Sequence, residues 1–404
     1  MCSNLDGIET VKTKPVLSLE KLSTCKRCGL ASFVCLQKKD VFCRSCFSQY
    51  CSHKFRATIG KSKLIKMKDT VLLAFSGGPS SVAMLDMVQD GLINPDAHRK
   101  LLFIPSLLFI REPNYSIKDS KFRRENEQKV KQMMIKSGLN CYLSSLEMMF
   151  SDQMTIHSAL NKDDTIPSCP IGEKKLEKKL SEIDSLTAKE DFIRIMRQLL
   201  IQRIAEKENF RFIFSGESCT RTAILTLADI AQGKGSQIIS QQAFCDDRFK
   251  VKVLRPMREF VAKEIAFWNL KRSNDYVDWL TLTTMKPVNS SLMKLTESYI
   301  NGIEKDFPAT VYTIFKTGNK LKYPDENVSK CDFCASKKDT VSDCSALYAL
   351  ELSHNLSKNI PYGESSTQLS DCLCYSCNIL FSEMRTEKKS RKAITKEDIS
   401  EFLL

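Results

Sequence analysis

The residues best placed to do chemistry are paired cysteines. Cys25-x2-Cys28 is followed, after fourteen intervening residues, by Cys43-x2-Cys46, close to the spacing of a four-cysteine zinc site. Each pair can present two thiolates to one ion, and the loop between them lets the pairs face each other. Gly29 suits a tight knuckle turn directly after Cys28, and Cys35, Cys51 and His53 are alternative ligands nearby. In the tail, Cys331-x2-Cys334 and Cys374-x2-Cys377 repeat the arrangement across 39 intervening residues, with Cys372 and Cys344 as alternatives. Four thiolates leave no open position for an activated water, so both zinc ions are expected to be structural, and chelation to unfold these ends.

A second candidate chemistry is phosphate binding. Ser76-Gly77-Gly78-Pro79-Ser80-Ser81 leaves an apolar run and enters a helical pattern. Glycines let backbone amides approach phosphate oxygens, and a helix N-terminus adds partial positive charge. Ile59-Gly60-Lys61-Ser62 is not a Walker loop, because Phe55 stands where its first glycine would be. A third is polyanion binding: Lys54, Arg56, Lys61, Lys63, Lys66 and Lys68 form a run without an acidic residue. Six phosphate contacts would make RNA binding strongly salt-dependent. A second basic cluster, Arg385, Lys388, Lys389, Arg391 and Lys392, follows the tail knuckle and reads equally as a solubilising stretch.

The elements that must position these groups alternate. Residues 70–75 form a short unbroken apolar run, as in a strand buried on both faces. The run 101–110 is broken by Pro105, so only its later part is expected as a central strand. Further strands are expected at 140–146, 210–214 and 249–254, and helices at 116–136, 191–207, 220–232 and 259–270. The stretch 151–189, with its prolines and lysine-glutamate run, reads as an exposed, partly helical or mobile insertion. Alternation of this kind argues for a doubly wound parallel α/β sheet with helices on both faces. No internal repeat is visible. The expected domains are a zinc module with basic linker over 1–66, an α/β domain over 67–325, and a second zinc module with basic tail over 326–404.

The composition fits this reading. The chain has 404 residues, 42% hydrophobic and 27% charged, which argues against wholesale disorder and fibrous repeats. Its net charge of +13 points to a polyanionic partner. Its 17 cysteines, without a secretion signal, point to metal sites rather than disulfides. No apolar run is long enough to span a bilayer, so no membrane role and a cytoplasmic location are expected. Four central cysteines, Cys141, Cys169, Cys219 and Cys245, form no pair and read as small core residues.

The cysteine-knuckle head, the basic segment, Phe75 to Ser81, the Gly216-Glu217-Ser218 turn and Arg255-Pro256-Met257-Arg258-Glu259 together resemble the cytosolic tRNA 2-thiolation protein 2 family, within the PP-loop ATP pyrophosphatase superfamily. The resemblance covers nearly the full chain apart from the insertion. It implies a PP-loop fold and a role beside a catalytic PP-loop thiolase subunit in a heterodimer. That enzyme installs 2-thiouridine at the wobble position of tRNAs for Lys, Glu and Gln, with sulfur from a thiocarboxylated ubiquitin-like carrier. Active PP-loop thiolases carry Ser-Gly-Gly-x-Asp-Ser, and here Ser80 stands where the aspartate should be. Pro79 also removes an amide donor from the cradle. Active relatives further use central cysteines, including a CxxC pair, and the middle of this chain has no CxxC. The expectation is therefore a degenerate subunit with impaired ATP binding and no iron–sulfur cluster, contacting tRNA through the run Lys54 to Lys68. The alternatives are a PP-loop enzyme that tolerates Ser80 and uses Cys219, and a zinc-dependent interaction protein unrelated to tRNA.

Overall fold

A computed structural model describes residues 24–93, 100–113, 120–151, 166–322, 329–338, 357, 372–384 and 400–402. Cys344, the basic cluster after residue 384 and most of the early insertion lie outside the described residues. The chain divides into two compact units, the first ending at Cys51 and the second running from Ser52.

In the first unit a knuckle turn at Cys25–Cys28 leads into an antiparallel hairpin, β1 (Val34–Leu36) and β2 (Asp40–Phe42), and then into the start of helix α1 (Arg44–Ser62). The hairpin turns through Gln37 and Lys38, both at positive φ. Its small core is built from Val34, Leu36, Val41, Phe42 and Phe47.

The second unit is built on a six-stranded sheet in the order β5-β4-β3-β6-β8-β7. Its strands are β3 (Thr70–Ala74), β4 (Ile104–Arg111), β5 (Asn140–Ser145), β6 (Phe212–Phe214), β7 (Cys245–Asp246) and β8 (Lys252–Leu254). All neighbouring pairs are parallel except the edge pair β7·β8. Pro105 sits second in β4, at the strand's beginning, where a missing amide is tolerated. From β3 the chain steps to one side through α2 (Pro79–Ile93), β4, α3 (Ser120–Ser137) and β5. It then returns through α4 (Pro170–Glu182) and α5 (Leu186–Lys207) to β6 on the other side. With right-handed crossovers, opposite directions of travel place the helices on opposite faces. The reversal leaves a crevice outside the carboxyl ends of β3 and β6, the usual ligand position in such sheets.

Beyond β6 come α6 (Cys219–Ala231), α7 (Gly235–Gln242), α8 (Ala262–Arg272), α9 (Leu292–Asp306), α10 (Thr310–Gly318) and α11 (Tyr375–Glu383). Buried Leu72, Leu108 and Ile213 of the sheet share one core with Phe192, Met196 and Leu200 of α5. Two expectations change here. The segment from 166 onward is partly helical, and it is not exposed throughout, because Ile166, Leu176 and Ile183 are buried. Nor are the tail knuckles a separate module: Cys331, Phe333, Cys334, Cys374, Cys377, Leu380 and Phe381 lie in the same core cluster as the sheet.

Candidate metal centres and the degenerate phosphate loop

Both expected four-cysteine sets come together. The sulfurs of Cys25, Cys28, Cys43 and Cys46 lie within 4.8 Å of one another, as do those of Cys331, Cys334, Cys374 and Cys377. Bonds of about 2.3 Å at tetrahedral angles place zinc-bound sulfurs about 3.8 Å apart. Here Cys28 stands 3.5 Å from Cys43 and 3.6 Å from Cys46, and Cys334 stands 3.7 Å from Cys374. The donor sets thus fit a single tetrahedral ion, and zinc matches four thiolates. In the tail, Cys374 rather than Cys372 joins the set; Cys372 is buried beside it, and its carbonyl accepts from the Asp332 amide.

Local chain geometry explains the convergence. Gly29 follows the first knuckle at φ +73°, its amide donating to the Cys25 carbonyl. Ala335 does the same for Cys331 at φ +56°. The second pair of each set lies at a helix start, where Cys43 precedes α1 and Cys374 precedes α11. Partial positive charge at a helix N-terminus favours the thiolate form. Four adjoining thiols cannot all ionise alone. Burial raises the Cys25 thiol, but the amides of Cys43, Arg27 and Cys28 outweigh it and hold the thiol at about 6. Burial and the neighbouring thiols push Cys46 up to about 12. In the tail set Cys334 is drawn down while Cys374 and Cys377 are pushed up, each chiefly through Cys331. A bound cation removes this competition by stabilising all four anions. One supporting group was missed from the sequence: buried Gln237 on α7 donates its amide to the sulfurs of Cys374 (3.6 Å) and Cys334 (3.9 Å).

The Ser76–Ser81 loop sits at the switch point, but its polar groups are turned inward. The Gly78 amide donates to Ser76 Oγ at 3.3 Å, and Ser81 Oγ donates to the Gly78 carbonyl at 3.0 Å. Ser80 Oγ donates to the Gly216 carbonyl, tying the loop to the turn after β6. An ionised aspartate could not make that bond, because it has no proton to give. Pro79 occupies the first position of α2 and has no amide to offer. A strap after α8 covers the loop: the Val277 amide donates to the Gly77 carbonyl at 2.9 Å, and Trp279 Nε1 donates to the Ser76 carbonyl at 2.6 Å. Trp279 also stacks on Phe109 of β4, with ring centroids 5.9 Å apart. The strap was not anticipated; its only sequence signal is a rare tryptophan among polar residues.

The other motif residues are structural. Arg255, buried, donates to Glu217 at 2.6 Å, to Asp246 at 3.1 Å and to the carbonyls of Ser240 and Ala243. It thereby fixes the turn after β6 against α7 and β7. Asn269 of α8 donates to the Pro79 carbonyl at 2.9 Å, and Trp268 donates to Asp86 at 2.8 Å, fastening α8 to α2. Cys219 is fully buried, and burial pushes its thiol up to about 12.

The basic run divides. Lys54 is not a phosphate ligand: its ammonium lies 2.8 Å from nearly buried Glu264 and 4.7 Å from the Phe260 ring. Its partners are distant in sequence, which the charge count could not reveal. Arg56 is half-buried, while Lys61, Lys63, Lys66 and Lys68 are exposed. They do not flank the loop. Lys66 and Lys68 precede the first residue of β3, whereas Ser76 follows its last. From Asp69 to Phe75 an extended chain covers ~20 Å, so Lys66 and Lys68 belong to the opposite edge of the sheet.

Comparison with known proteins agrees with this architecture. A family model described as cytoplasmic tRNA 2-thiolation protein 2 matches residues 291–379. A Xenopus tropicalis protein of that name is 31% identical over 94% of this chain and 94% of its own length. The Danio rerio protein of that name is 29% identical over 99% of this chain and 97% of its own. Among solved structures, the U34-tRNA thiolase NcsA from Methanococcus maripaludis, with its 4Fe-4S cluster, shares the fold at a TM-score of 0.57 and 15% identity, over 85% of this chain and 98% of that one. The chain therefore belongs to the cytoplasmic tRNA 2-thiolation protein 2 family.

Proposed function

We propose that this chain is the non-catalytic, RNA-holding subunit of a cytoplasmic heterodimeric tRNA 2-thiolase, and that a PP-loop partner carries out the chemistry. The observation that carries this reading is the self-satisfied loop. The Gly78 amide donates to Ser76 Oγ, Pro79 has no amide to give, and Ser80 Oγ is bound to the Gly216 carbonyl. A phosphate cradle needs amides aimed outward. The reaction supported is 2-thiolation of the wobble uridine in tRNAs for Lys, Glu and Gln, with sulfur from a thiocarboxylated ubiquitin-like carrier. Two zinc ions would be structural. The sulfur spacing of both sets suits a single tetrahedral ion, and the buried Cys219 thiol is a poor sulfur carrier.

The test measures tRNA thiolation and ATP turnover for this chain alone, the partner alone and the two combined. Thiolation should need both, with ATP consumed only when the partner is present. ATP-dependent uridine activation by this chain alone would overturn the reading. Ser80→Ala and Cys219→Ala should reduce thiolation modestly; collapse of activity in either would favour an active PP-loop enzyme.

A further inference from the structure

The exposed lysines before β3 have neighbours on the adjoining strands. The Lys68 amide donates to the Leu102 carbonyl at 2.8 Å, setting Lys68 beside the approach to β4, where Lys100 lies two residues upstream and exposed. On the other side, the Arg211 amide donates to the Thr70 carbonyl at 3.1 Å, so exposed Arg211 stands at the start of β6. Three adjacent strands, β4, β3 and β6, thus begin behind Lys100, Lys68 and Arg211 at a pitch of about 4.8 Å, with exposed Lys66 alongside.

The described acidic groups here are buried or half-buried. Asp69 is buried, accepting from the Lys66 amide at 2.7 Å and from Arg211 Nη1 at 3.3 Å. Glu208 is half-buried. Lys66, Lys68 and Lys100 make no side-chain hydrogen bond or ion pair among the described residues. Between the cations Met67, Leu102 and Ile104 are 65%, 49% and 48% exposed, an apolar floor.

We infer that this amino edge of the sheet docks the sugar–phosphate backbone of RNA. The inference rests on the RNA-holding role proposed above and says which surface performs it. Strand ends fixed by backbone hydrogen bonds hold the cations in a row. Such a row of cations can follow the successive negative charges of a nucleic-acid strand. The apolar floor can lie against ribose. RNA held here meets the sheet ~20 Å of extended chain away from the Ser76 loop, in keeping with a partner that carries out the chemistry.

The experiment titrates full-length chain with unmodified tRNA by fluorescence anisotropy across a salt series. A triple variant, Lys66→Gln, Lys68→Gln and Lys100→Gln, is compared with wild type and with a control, Lys121→Gln, Lys129→Gln and Lys136→Gln on α3; circular dichroism verifies folding of each. Loss of three contacts should weaken binding at least tenfold and lower the log Kd against log salt slope by about 2, at about 0.7 per contact. The α3 control should keep the wild-type slope. If the edge variant keeps affinity and slope while the α3 variant loses them, RNA holding stands and this surface is wrong. If wild type shows no salt-sensitive tRNA binding, the RNA-holding reading itself falls. Equal competition by polyglutamate would make the edge a protein-docking surface and overturn the inference.

Discussion

Gly77 is where backbone conformation and packing both forbid a side chain. Its φ is +75°, and a methyl group there would stand 2.4 Å from Val130 Cγ2 and 3.0 Å from Val277 Cγ2. Left-handed strain of about 1–2 kcal/mol adds to overpacking of about 1–3 kcal/mol, so Gly77→Ala should lose roughly 3 kcal/mol in urea unfolding of the full chain. Gly29 has a similar φ of +73° but open space around it; Gly29→Ala should lose only about 1 kcal/mol. Equal losses would show that the strap does not press on the loop. Asp246 makes a pH prediction. Burial pushes its carboxyl up, but Arg248 and Arg255 outweigh burial and hold it at about 2. A group with a depressed folded-state pKa stabilises above its unfolded value of about 4 and loses that contribution as pH falls through the folded value. At 1.36 kcal/mol per unit the contribution is about 2 kcal/mol. Urea midpoints measured from pH 5 to pH 2 should fall more steeply for wild type than for Asp246→Asn; parallel curves would refute the assignment. The Ser-Gly-Gly turn and paired cysteines were readable from residue type alone. The inward role of Lys54 was not, because a lysine's partner 210 positions away leaves no local trace.

The two metal centres are built alike at the level of elements. Isolated bridges join Thr24 to Ala31 and Lys330 to Lys337, in each case one residue before the first cysteine and three after the second. A left-handed residue follows each knuckle, and a helix starts at each second pair, with Phe47 and Asn378 amides donating to Cys43 and Cys374 carbonyls at 2.9 Å. The paired cysteines showed the repeat in the sequence, but the matching bridges and turns did not, because the two pairs are fourteen residues apart in one copy and 39 in the other. Ala335 occupies the position that Gly29 fills in the first copy, and a left-handed alanine costs about 1 kcal/mol relative to glycine. Ala335→Gly should therefore raise stability by about 1 kcal/mol, read as a higher urea midpoint with unchanged slope; a neutral or lower midpoint would show that the turn is held by other forces. Strand and helix order followed from periodicity, with β3, β4 and β5 close to their expected ranges. The segment after residue 166 escaped because its buried residues, Leu176 and Ile183, are sparse among lysines and glutamates.

Over the whole molecule, the division into two compact units gives the two ions different fates. In the first set Cys28 is exposed and Cys46 partly so, whereas all four cysteines of the tail set are buried. The tail set also lies within the core of the sheet and is flanked by aromatic rings: Phe333 packs on Phe381 at 4.9 Å and on Phe402 at 5.8 Å between centroids. The expected three-part division was legible only as clusters of cysteines, because shared burial joins distant stretches of chain in a way that spacing does not report. A chelator or thiol reagent reaches an exposed sulfur without unfolding, but a buried one only through an opening event. Zinc release from the loaded protein, followed with a colorimetric chelator, should therefore occur in two equal phases. The first should be fast and insensitive to urea below the unfolding transition. The second should be slow and rise with urea in step with loss of near-UV circular dichroism, because that metal and the sheet share one core. Release of both equivalents in a single urea-insensitive phase would show that the tail set opens independently of the sheet, contrary to the packing of Cys331, Cys334, Cys374 and Cys377 against it.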